Sequence, residues 1–297
     1  MIFHDLSNAT REKLIASQIF PEKLSTLIEV AILEDLDGGD DVTSVATIPT
    51  VQRSCGEYRV RVGGVIAGIY VAVSVLEMLG LTEIEVLAND GDFLPAGAVL
   101  LRVKGNTRQI LLAERTSLNF LGHLSGIASL SRSWVDEISE FPETRVRDTR
   151  KTTPGFRELE KYAVRMGGAM NHRMTLRDSA LIKDNHIAAA GGAGKAFAKV
   201  QSSFPSLQIE VEVDTLDQLK DMIPLNPDLV LLDNMSVEEC AAAVALVGNK
   251  FPLEASGGIT IENARAYAKT GVTFLAIGAL THSAKVLDIG LDLKAEI

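Results

Sequence analysis

Four short apolar segments decide the fold of this 297-residue chain. They are QIEVEV (208–213), DLVLLD (228–233), PLEASGG (252–258) and TFLAIGA (273–279), and a helical pattern lies between each one and the next. Strands that are apolar on both faces and alternate with helices are typical of a parallel sheet that is buried on both sides. The pattern therefore predicts an α/β fold with parallel strands in this part of the chain.

The ends of these segments carry residues at a regular spacing. They are Glu212, Asp233, Ser256 and Gly278, which are 21, 23 and 22 residues apart. Each lies at or near the carboxyl end of its predicted strand, which is where a (β/α) barrel builds its active site. An open doubly wound sheet would also place them at strand ends, but no Gly-x-Gly-x-x-Gly follows a strand. We therefore prefer the barrel.

A glycine-rich segment at 191–195, GGAGK, resembles a nucleotide-binding loop. It departs from the P-loop pattern, because Ala189 stands where that pattern has Gly and Ala196 where it has Ser or Thr. We interpret the segment as a loop that begins a helix.

The first part of the chain has mixed periodicity. Residues 21–34 predict a helix that begins at Pro21, and residues 57–70 and 84–104 predict strands joined by glycine-containing turns. Residues 108–139 then predict a long helix with an apolar stripe. Arg115 lies on that stripe, and its simplest interpretation is a packed stem with its charge in solvent.

Composition limits the classes of function. The net charge of −10 argues against nucleic acid as the main partner. No apolar run is long enough for a membrane span, and the N-terminus lacks the pattern of a signal peptide. Cys55 and Cys240 have no paired spacing with histidine or with each other, so we expect free thiols in a reducing cytoplasm.

A basic segment stands out against this acidic background. Residues 145–183 contain ten Lys or Arg and four acids, a charge of 10 − 4 = +6. Arg150, Lys151, Arg173 and Lys183 lie among Thr, Pro, Gly and Asn rather than on a regular helix face. The pattern indicates a local site for a substrate with several negative charges.

The residues at the strand ends complete this interpretation. Glu212 and Asp233 could hold ribose hydroxyls or a Mg²⁺ ion that bridges to phosphates, although they could also simply pair with lysines. Ser256-Gly257-Gly258 and Gly278 could bind a phosphate through backbone N–H groups. Residue types alone thus favour a sugar phosphate and a second anion as ligands.

Several motifs resemble the quinolinate phosphoribosyltransferase family. They are ERTSLNFLGHLSGIAS (114–129), DTRKTTPG (148–155), NHR (171–173), LIKDNHI (181–187), EVEVD (210–214), LLDN (231–234), EASGGI (254–259) and the acidic loop EDLDGGDDVTS (34–44). The resemblance implies an N-terminal α/β sandwich domain (1–117, joined by 284–297) and an incomplete α/β barrel (118–283). It also implies a cytoplasmic homodimer with shared active sites, or a larger assembly built on that dimer.

The implied reaction converts quinolinate and phosphoribosyl pyrophosphate to nicotinate mononucleotide, pyrophosphate and CO₂ in NAD biosynthesis, with Mg²⁺. By resemblance, quinolinate would be held by Arg150, His172, Arg173 and Lys183, and by Arg115 of the neighbouring subunit. Phosphoribosyl pyrophosphate would be held by Lys151, Glu212, Asp233, Asn234, Ser256, Gly257, Gly258, Gly278 and His282. The catalytic set would be Lys151, Glu212 and Asp233, and the two acids would also bind Mg²⁺ directly or indirectly.

Ala169 and Thr175 depart from the family pattern, since glycine is expected at both positions. Three rival functions remain open. They are a related phosphoribosyltransferase for nicotinate or another pyridine acid, a molybdenum-associated protein of the same superfamily, and a non-catalytic anion-binding protein on a barrel scaffold.

Overall fold

The computed structural model describes residues 3–295. Its helices are α1 (Asn8–Ala16), α2 (Pro21–Leu36), α3 (Val42–Thr47), α4 (Ile69–Met78), α5 (Thr107–Glu137), α6 (Arg157–Met166), α7 (Asp184–Ala190), α8 (Ala193–Ser203), α9 (Leu216–Met222), α10 (Val237–Val247), α11 (Ile261–Lys269) and α12 (Ala279–His282). Its strands are β1 (Arg53–Val60), β2 (Gly64–Val65), β3 (Glu83–Val86), β4 (Phe93–Leu94), β5 (Val99–Asn106), β6 (Arg145–Arg147), β7 (Ala180–Ile182), β8 (Ile209–Val213), β9 (Leu229–Asp233), β10 (Leu253–Ser256), β11 (Phe274–Ala276) and β12 (Ile289–Ala295).

The chain divides into two compact units. The first contains the chain up to Leu130, the segment Glu158–Gly168 and the chain from Ala284. The second contains Ser131–Arg157 and Ala169–Ser283. The division after Leu130 and the boundary expected at 117/118 both fall within α5. Of the expected first domain, residues 1–2 and 296–297 lie outside the described residues.

The first unit contains an antiparallel sheet with the strand order β12-β1-β5-β3. Alternate residues of β1 are buried, as expected of a strand with one face on the core. Buried Tyr58 of β1 shares a hydrogen bond of 2.7 Å with Ser117 of α5, which ties the sheet to that helix. The pairing of β12 with β1 places residues 289–295 in this unit.

Small residues let the returning chain lie against α5. A Cβ atom on Gly126 would be 2.1 Å from the carbonyl oxygen of Lys285, and one on Gly122 would be 2.7 Å from Cγ1 of Val286. Glycine at position 126 is therefore a packing requirement, because real Cβ atoms do not approach backbone oxygen so closely, and a Cβ atom on Gly122 would displace the Val286 side chain.

The second unit contains a parallel sheet with the strand order β6-β11-β10-β9-β8-β7. From β7 to β11 each strand lies beside the next one in the chain, so the winding never reverses. Right-handed connections that all proceed in one direction place their helices on one face, which produces a barrel rather than a doubly wound sheet. Since β6 and β7 form opposite edges, the barrel is incomplete, as predicted.

Several predicted elements of the first unit need correction. The helices expected at 21–34 and 108–139 are confirmed as α2 and α5. The strands expected at 57–70 end sooner, because Ile69 already begins α4, a helix that is buried almost all round. The region 84–104 contains parts of three strands rather than two. No helix among the described residues is long and apolar enough to cross a membrane.

Candidate active site

The carboxyl ends of the barrel strands surround a cavity of about 440 Å³ within the second unit. Asp233 ends β9 and Ser256 ends β10, and the two residues are register partners. Glu212 lies one residue before the end of β8. The cavity is lined by Thr149, Arg150, Lys151, His172, Arg173, Leu181, Lys183, Glu212, Leu231, Asp233, Asn234, Glu254, Ser256, Gly257 and Ala276.

The remaining predicted residues lie outside this lining. Gly278 is close to it, since a Cβ atom there would be 3.2 Å from Cδ of Lys151 and 3.1 Å from Nε2 of His282. Gly258 is exposed, next to Gly257. Arg115 lies on α5 in the first unit, where its side chain is exposed. The structure thus brings most of the predicted set to one cavity and leaves Arg115 elsewhere on the chain.

Two arginines, Arg150 and Arg173, supply part of the positive charge of the cavity. The Nη1 atom of Arg173 donates to the carbonyl oxygen of Ser179 at 2.8 Å. The buried Nε atoms of Arg150 and Arg173 have no hydrogen-bond partner among the described residues. Burial and the charge of Arg150 both lower the pKa of Arg173, although a guanidinium remains charged at neutral pH. Two repelling guanidinium groups with unused donors favour an anionic ligand.

Lys183 and Glu212 form an ion pair at the mouth of the cavity. The side chain of Lys183 is 46% exposed, whereas that of Glu212 is 10% exposed. A pair with one partner so exposed adds little stability, typically about 0–1 kcal/mol. Glu212 therefore does pair with a lysine, as the alternative interpretation of this residue expected. The pair is weak enough for a charged ligand to replace one of its partners.

A network of short contacts holds Asp233 at its strand end. Asn234 adopts a left-handed conformation with φ of 54°. Its side-chain amide donates to Asp233 Oδ2 at 2.8 Å, and its backbone N–H donates to the carbonyl oxygen of Ser256 at 2.8 Å. Gly257 has φ of 85°, and a Cβ atom on it would lie 2.1 Å from Asn234 Oδ1. The glycine therefore provides the space in which Asn234 orients Asp233.

Gly257→Ala should displace Asn234 and disturb the site. We expect the thermal unfolding midpoint to fall by an amount equivalent to about 1–3 kcal/mol, because a clash adds to the backbone strain. Gly258→Ala is the matched control, since its φ is also positive at 66° but its Cβ atom would meet nothing within 4 Å. Equal changes in midpoint for the two variants would contradict this account.

A second group of charged residues, the charged layer, lies deeper in the barrel and consists of Arg147, Glu210 and Glu254. Glu210 of β8 and Glu254 of β10 are 4% and 0% exposed, and Glu254 accepts from Nη1 of Arg147 at 2.7 Å. The sequence analysis gave neither acid a role. The period of two along a strand could have found them, since Glu210 precedes Glu212 by two residues and Glu254 precedes Ser256 by two. Burial raises the pKa of Glu210, an effect that His172 opposes.

His172 connects the charged layer to the cavity. Its Nε2 atom is 3.0 Å from Glu210 Oε2 and 3.5 Å from Glu254 Oε1, and its Nδ1 accepts from the backbone N–H of Arg173 at 2.7 Å. Burial lowers the pKa of His172, but the two carboxylates raise it more strongly, to about 9 overall, which favours a charged ring. The backbone N–H of Arg173 opposes this charge, because it points at Nδ1 and a proton there would place two donors face to face. The geometry therefore favours the neutral ring with its proton on Nε2.

Ala169 and Thr175, which stand where the family pattern has glycine, do not require a left-handed backbone conformation. Ala169 is buried beside Gly168, which has φ of 89° and supplies the left-handed residue of this turn. Thr175 donates its hydroxyl to Asp178 at 2.6 Å. Neither Ala169 nor Thr175 has a positive φ, so their side chains cause no backbone strain.

Comparisons with known proteins agree with this geometry. Residues 41–125 match the family model of the quinolinate phosphoribosyl transferase N-terminal domain, and residues 127–292 match that of the C-terminal domain. A relative from Mycobacterium leprae, a nicotinate-nucleotide pyrophosphorylase (carboxylating), is 48% identical over 272 residues, covering 90% of this chain and 95% of its own. A quinolinate phosphoribosyltransferase (decarboxylating) from Nicotiana tabacum is 38% identical over 294 residues, covering 92% and 83%.

Solved structures are similar over almost the same extent. The nicotinate-nucleotide pyrophosphorylase from Francisella tularensis superposes with a TM-score of 0.87 at 39% identity, covering 93% of this chain and 96% of that one. Both family models and these relatives extend across both units. The chain therefore belongs to the quinolinate phosphoribosyltransferase family.

Proposed function

We propose that this chain transfers the phosphoribosyl group of phosphoribosyl pyrophosphate to quinolinate, releasing pyrophosphate and CO₂ and forming nicotinate mononucleotide for NAD biosynthesis. The observation that carries the proposal is one cavity that joins the carboxylates of Glu212 and Asp233 with Arg150 and Arg173, whose Nε atoms have no partner within residues 3–295. Such a cavity suits a dicarboxylate and a sugar phosphate together. The names and identities of the relatives support the same reaction.

The cationic residues divide between the two substrates. Arg150, Arg173 and Lys183 bind the two quinolinate carboxylates, since guanidinium groups match the planar geometry of carboxylates and Lys183 adds a point charge. His172, which the resemblance also assigns to quinolinate, lines the same cavity, but both nitrogens of its ring contact protein atoms. Lys151, which is exposed beside Gly278, binds the pyrophosphate. Ser256, Gly257, Gly258 and Gly278 bind the 5′-phosphate through backbone N–H groups, with His282 next to them.

The two strand-end carboxylates fit a Mg²⁺ ion, since hard oxygen ligands on one cavity wall suit that cation. Glu212 and Asp233 would hold it, directly or through water and substrate oxygens. When bound, Mg²⁺ would neutralise charge on the pyrophosphate leaving group. The same two carboxylates bind the ribose hydroxyls.

The chemistry depends on charge and position. As pyrophosphate leaves, positive charge develops on the ribose carbon and ring oxygen, and Glu212 and Asp233 stabilise it. The pyridine nitrogen of quinolinate then forms the new bond to the ribose carbon. The resulting cationic ring accepts the electron pair as the adjacent carboxylate leaves as CO₂, and the ring carbon takes up a proton. Arg150 and Arg173 hold the ring in position for both steps.

The site acts in a cytoplasmic homodimer, or in a larger assembly built on it. Arg115 is exposed on α5 and belongs to the first unit, so it is available to a neighbouring subunit. There it adds a further cation for the quinolinate carboxylates. This role explains an arginine on an otherwise apolar stripe better than solvent exposure alone does.

The test is product formation from quinolinate, phosphoribosyl pyrophosphate and Mg²⁺, with nicotinate as a parallel substrate. We expect nicotinate mononucleotide and CO₂ in equal amounts from quinolinate, and no product from nicotinate, which lacks the second carboxylate for the paired arginines. Product from nicotinate alone would assign the chain to a sister activity. No product from either substrate would overturn the proposal.

A further inference from the structure

The charged layer of the barrel, formed by Arg147, Glu210 and Glu254, stands where apolar side chains would be the usual filling. Arg147 donates to Glu254 Oε2 at 2.7 Å, and its guanidinium carbon lies 4.4 Å from the ring centre of Phe274. Glu210 and Glu254 nevertheless each retain a buried oxygen atom, Oε1, with no hydrogen-bond partner among the described residues. Glu254 is part of the cavity lining, whereas Glu210 is not.

His172 is the link between this layer and the cavity. Its ring is 7% exposed, and both nitrogens contact protein atoms: Nε2 faces Glu210 and Glu254, and Nδ1 accepts from Arg173. Its backbone N–H donates to buried Asp148 Oδ1 at 2.8 Å. The ring therefore has one orientation that satisfies every contact, and that orientation requires a proton on Nε2.

The orientation of the ring has a direct effect on Arg173. The Nδ1 atom fixes the Arg173 backbone N–H, and the carbonyl oxygen of Ser179 fixes Nη1 of the same residue. An arginine held at both ends presents its remaining donors to the cavity in one geometry, which limits the entropy lost on binding. If the ring turned over, the first of these two restraints would be lost.

We propose that Glu210 is a positioning residue for quinolinate: its Oε2 accepts the Nε2–H of His172, with Oε1 of Glu254 3.5 Å from the same nitrogen, and the ring so oriented holds the Arg173 backbone in its binding geometry. The inference rests on the proposed function and extends it to a residue that does not line the cavity. Because removal of one partner of a buried ionic group also destabilises the fold, the test must separate stability from substrate affinity.

The kinetic test compares two substitutions of Glu210. Glu210→Met removes the acceptor and keeps an unbranched side chain of similar length, whereas Glu210→Gln retains an acceptor oxygen. We expect Glu210→Met to raise KM for quinolinate about 10- to 100-fold, by analogy with the loss found when the hydrogen-bond partner of a metal-binding histidine is removed. KM for phosphoribosyl pyrophosphate should change little, and Glu210→Gln should recover most of the loss.

An unchanged KM for quinolinate in Glu210→Met would overturn the proposal. So would an equal loss in both variants toward both substrates, which indicates a general structural role. Thermal unfolding of each variant provides the folding control. If Glu210→Met does not fold, Glu210→Leu serves as the second variant, with the same selective rise in KM for quinolinate expected.

A spectroscopic measurement makes the test independent of turnover. The chain has five histidines, so labelled imidazole resonances can be assigned by comparison with His172→Gln. We expect the shifts of His172 to show a proton on Nε2 and an unprotonated Nδ1 in the wild-type chain, and this state to be lost in Glu210→Met. A wild-type ring with its proton on Nδ1 would overturn the proposal even if the chain uses quinolinate. Absence of turnover with the expected ring would instead reject only the proposed function.

Discussion

Arg173→Ala is expected to abolish most of the activity toward quinolinate. The side chain is partly buried, lies beside Arg150 and has a buried donor, Nε, without a partner in the described part of the chain. Loss of a cation that meets a desolvated carboxylate costs roughly 2–5 kcal/mol, which corresponds to about a 30-fold to several-thousandfold fall in kcat/KM. Steady-state kinetics with quinolinate as the varied substrate would measure the effect.

Two further variants show whether charge or geometry is responsible. Arg173→Lys retains the charge but not the planar pair of donors, so we expect it to recover only part of the loss. Arg265→Ala removes an arginine that is 45% exposed and paired with Glu140 on the surface of the same unit, and it should leave the kinetics unaltered. Wild-type kinetics in Arg173→Ala would remove that residue from the site.

Asp233→Asn should separate binding from catalysis. The substitution keeps the size of the side chain and removes the negative charge that stabilises the developing positive ribose. Loss of one such electrostatic group typically lowers kcat about 10²- to 10³-fold. Quinolinate affinity, measured by calorimetry without the second substrate, should change little, because the carboxylates of quinolinate meet arginines elsewhere in the cavity.

The surface provides a control for the loss of an aspartate. Asp217 has a side chain that is 90% exposed and pairs with Lys220 on the surface, so Asp217→Asn should preserve kcat. A non-catalytic anion-binding protein would retain its ligand affinity in Asp233→Asn and would have no turnover to lose. Retained turnover in Asp233→Asn would therefore argue against the electrostatic role of this carboxylate.

Most of the barrel could be predicted from sequence because its signals are local and repeated. The strand ends at Asp233 and Ser256 follow directly from apolar runs and their spacing. The same approach failed at α4, where Ile69–Met78 is rich in β-branched residues and buried on nearly all sides. A helix without a polar face has no period of 3.6 to detect, and so its first residues resembled a strand.

The charged layer was missed for a different reason. In the sequence, Glu210 resembles any polar residue of a strand whose side chains alternate between two faces. Only the folded barrel defines which of the two faces is interior. Its partners His172 and Glu254 are 38 and 44 residues away in the chain, and no local pattern connects them. The pairing of Lys183 with Glu212 is equally invisible, since ion pairs depend on side-chain positions that only the folded barrel defines.

The pairing of β12 with β1 has a consequence for biosynthesis. A ribosome delivers residues 289–295 only after every strand of the parallel sheet, so the barrel can be assembled while β1 has β5 beside it but not yet β12. Until then β1 presents an open edge, the kind of surface on which nascent chains associate wrongly. The sheet of the first unit thus gains its edge strand only after all the strands of the second unit have been made.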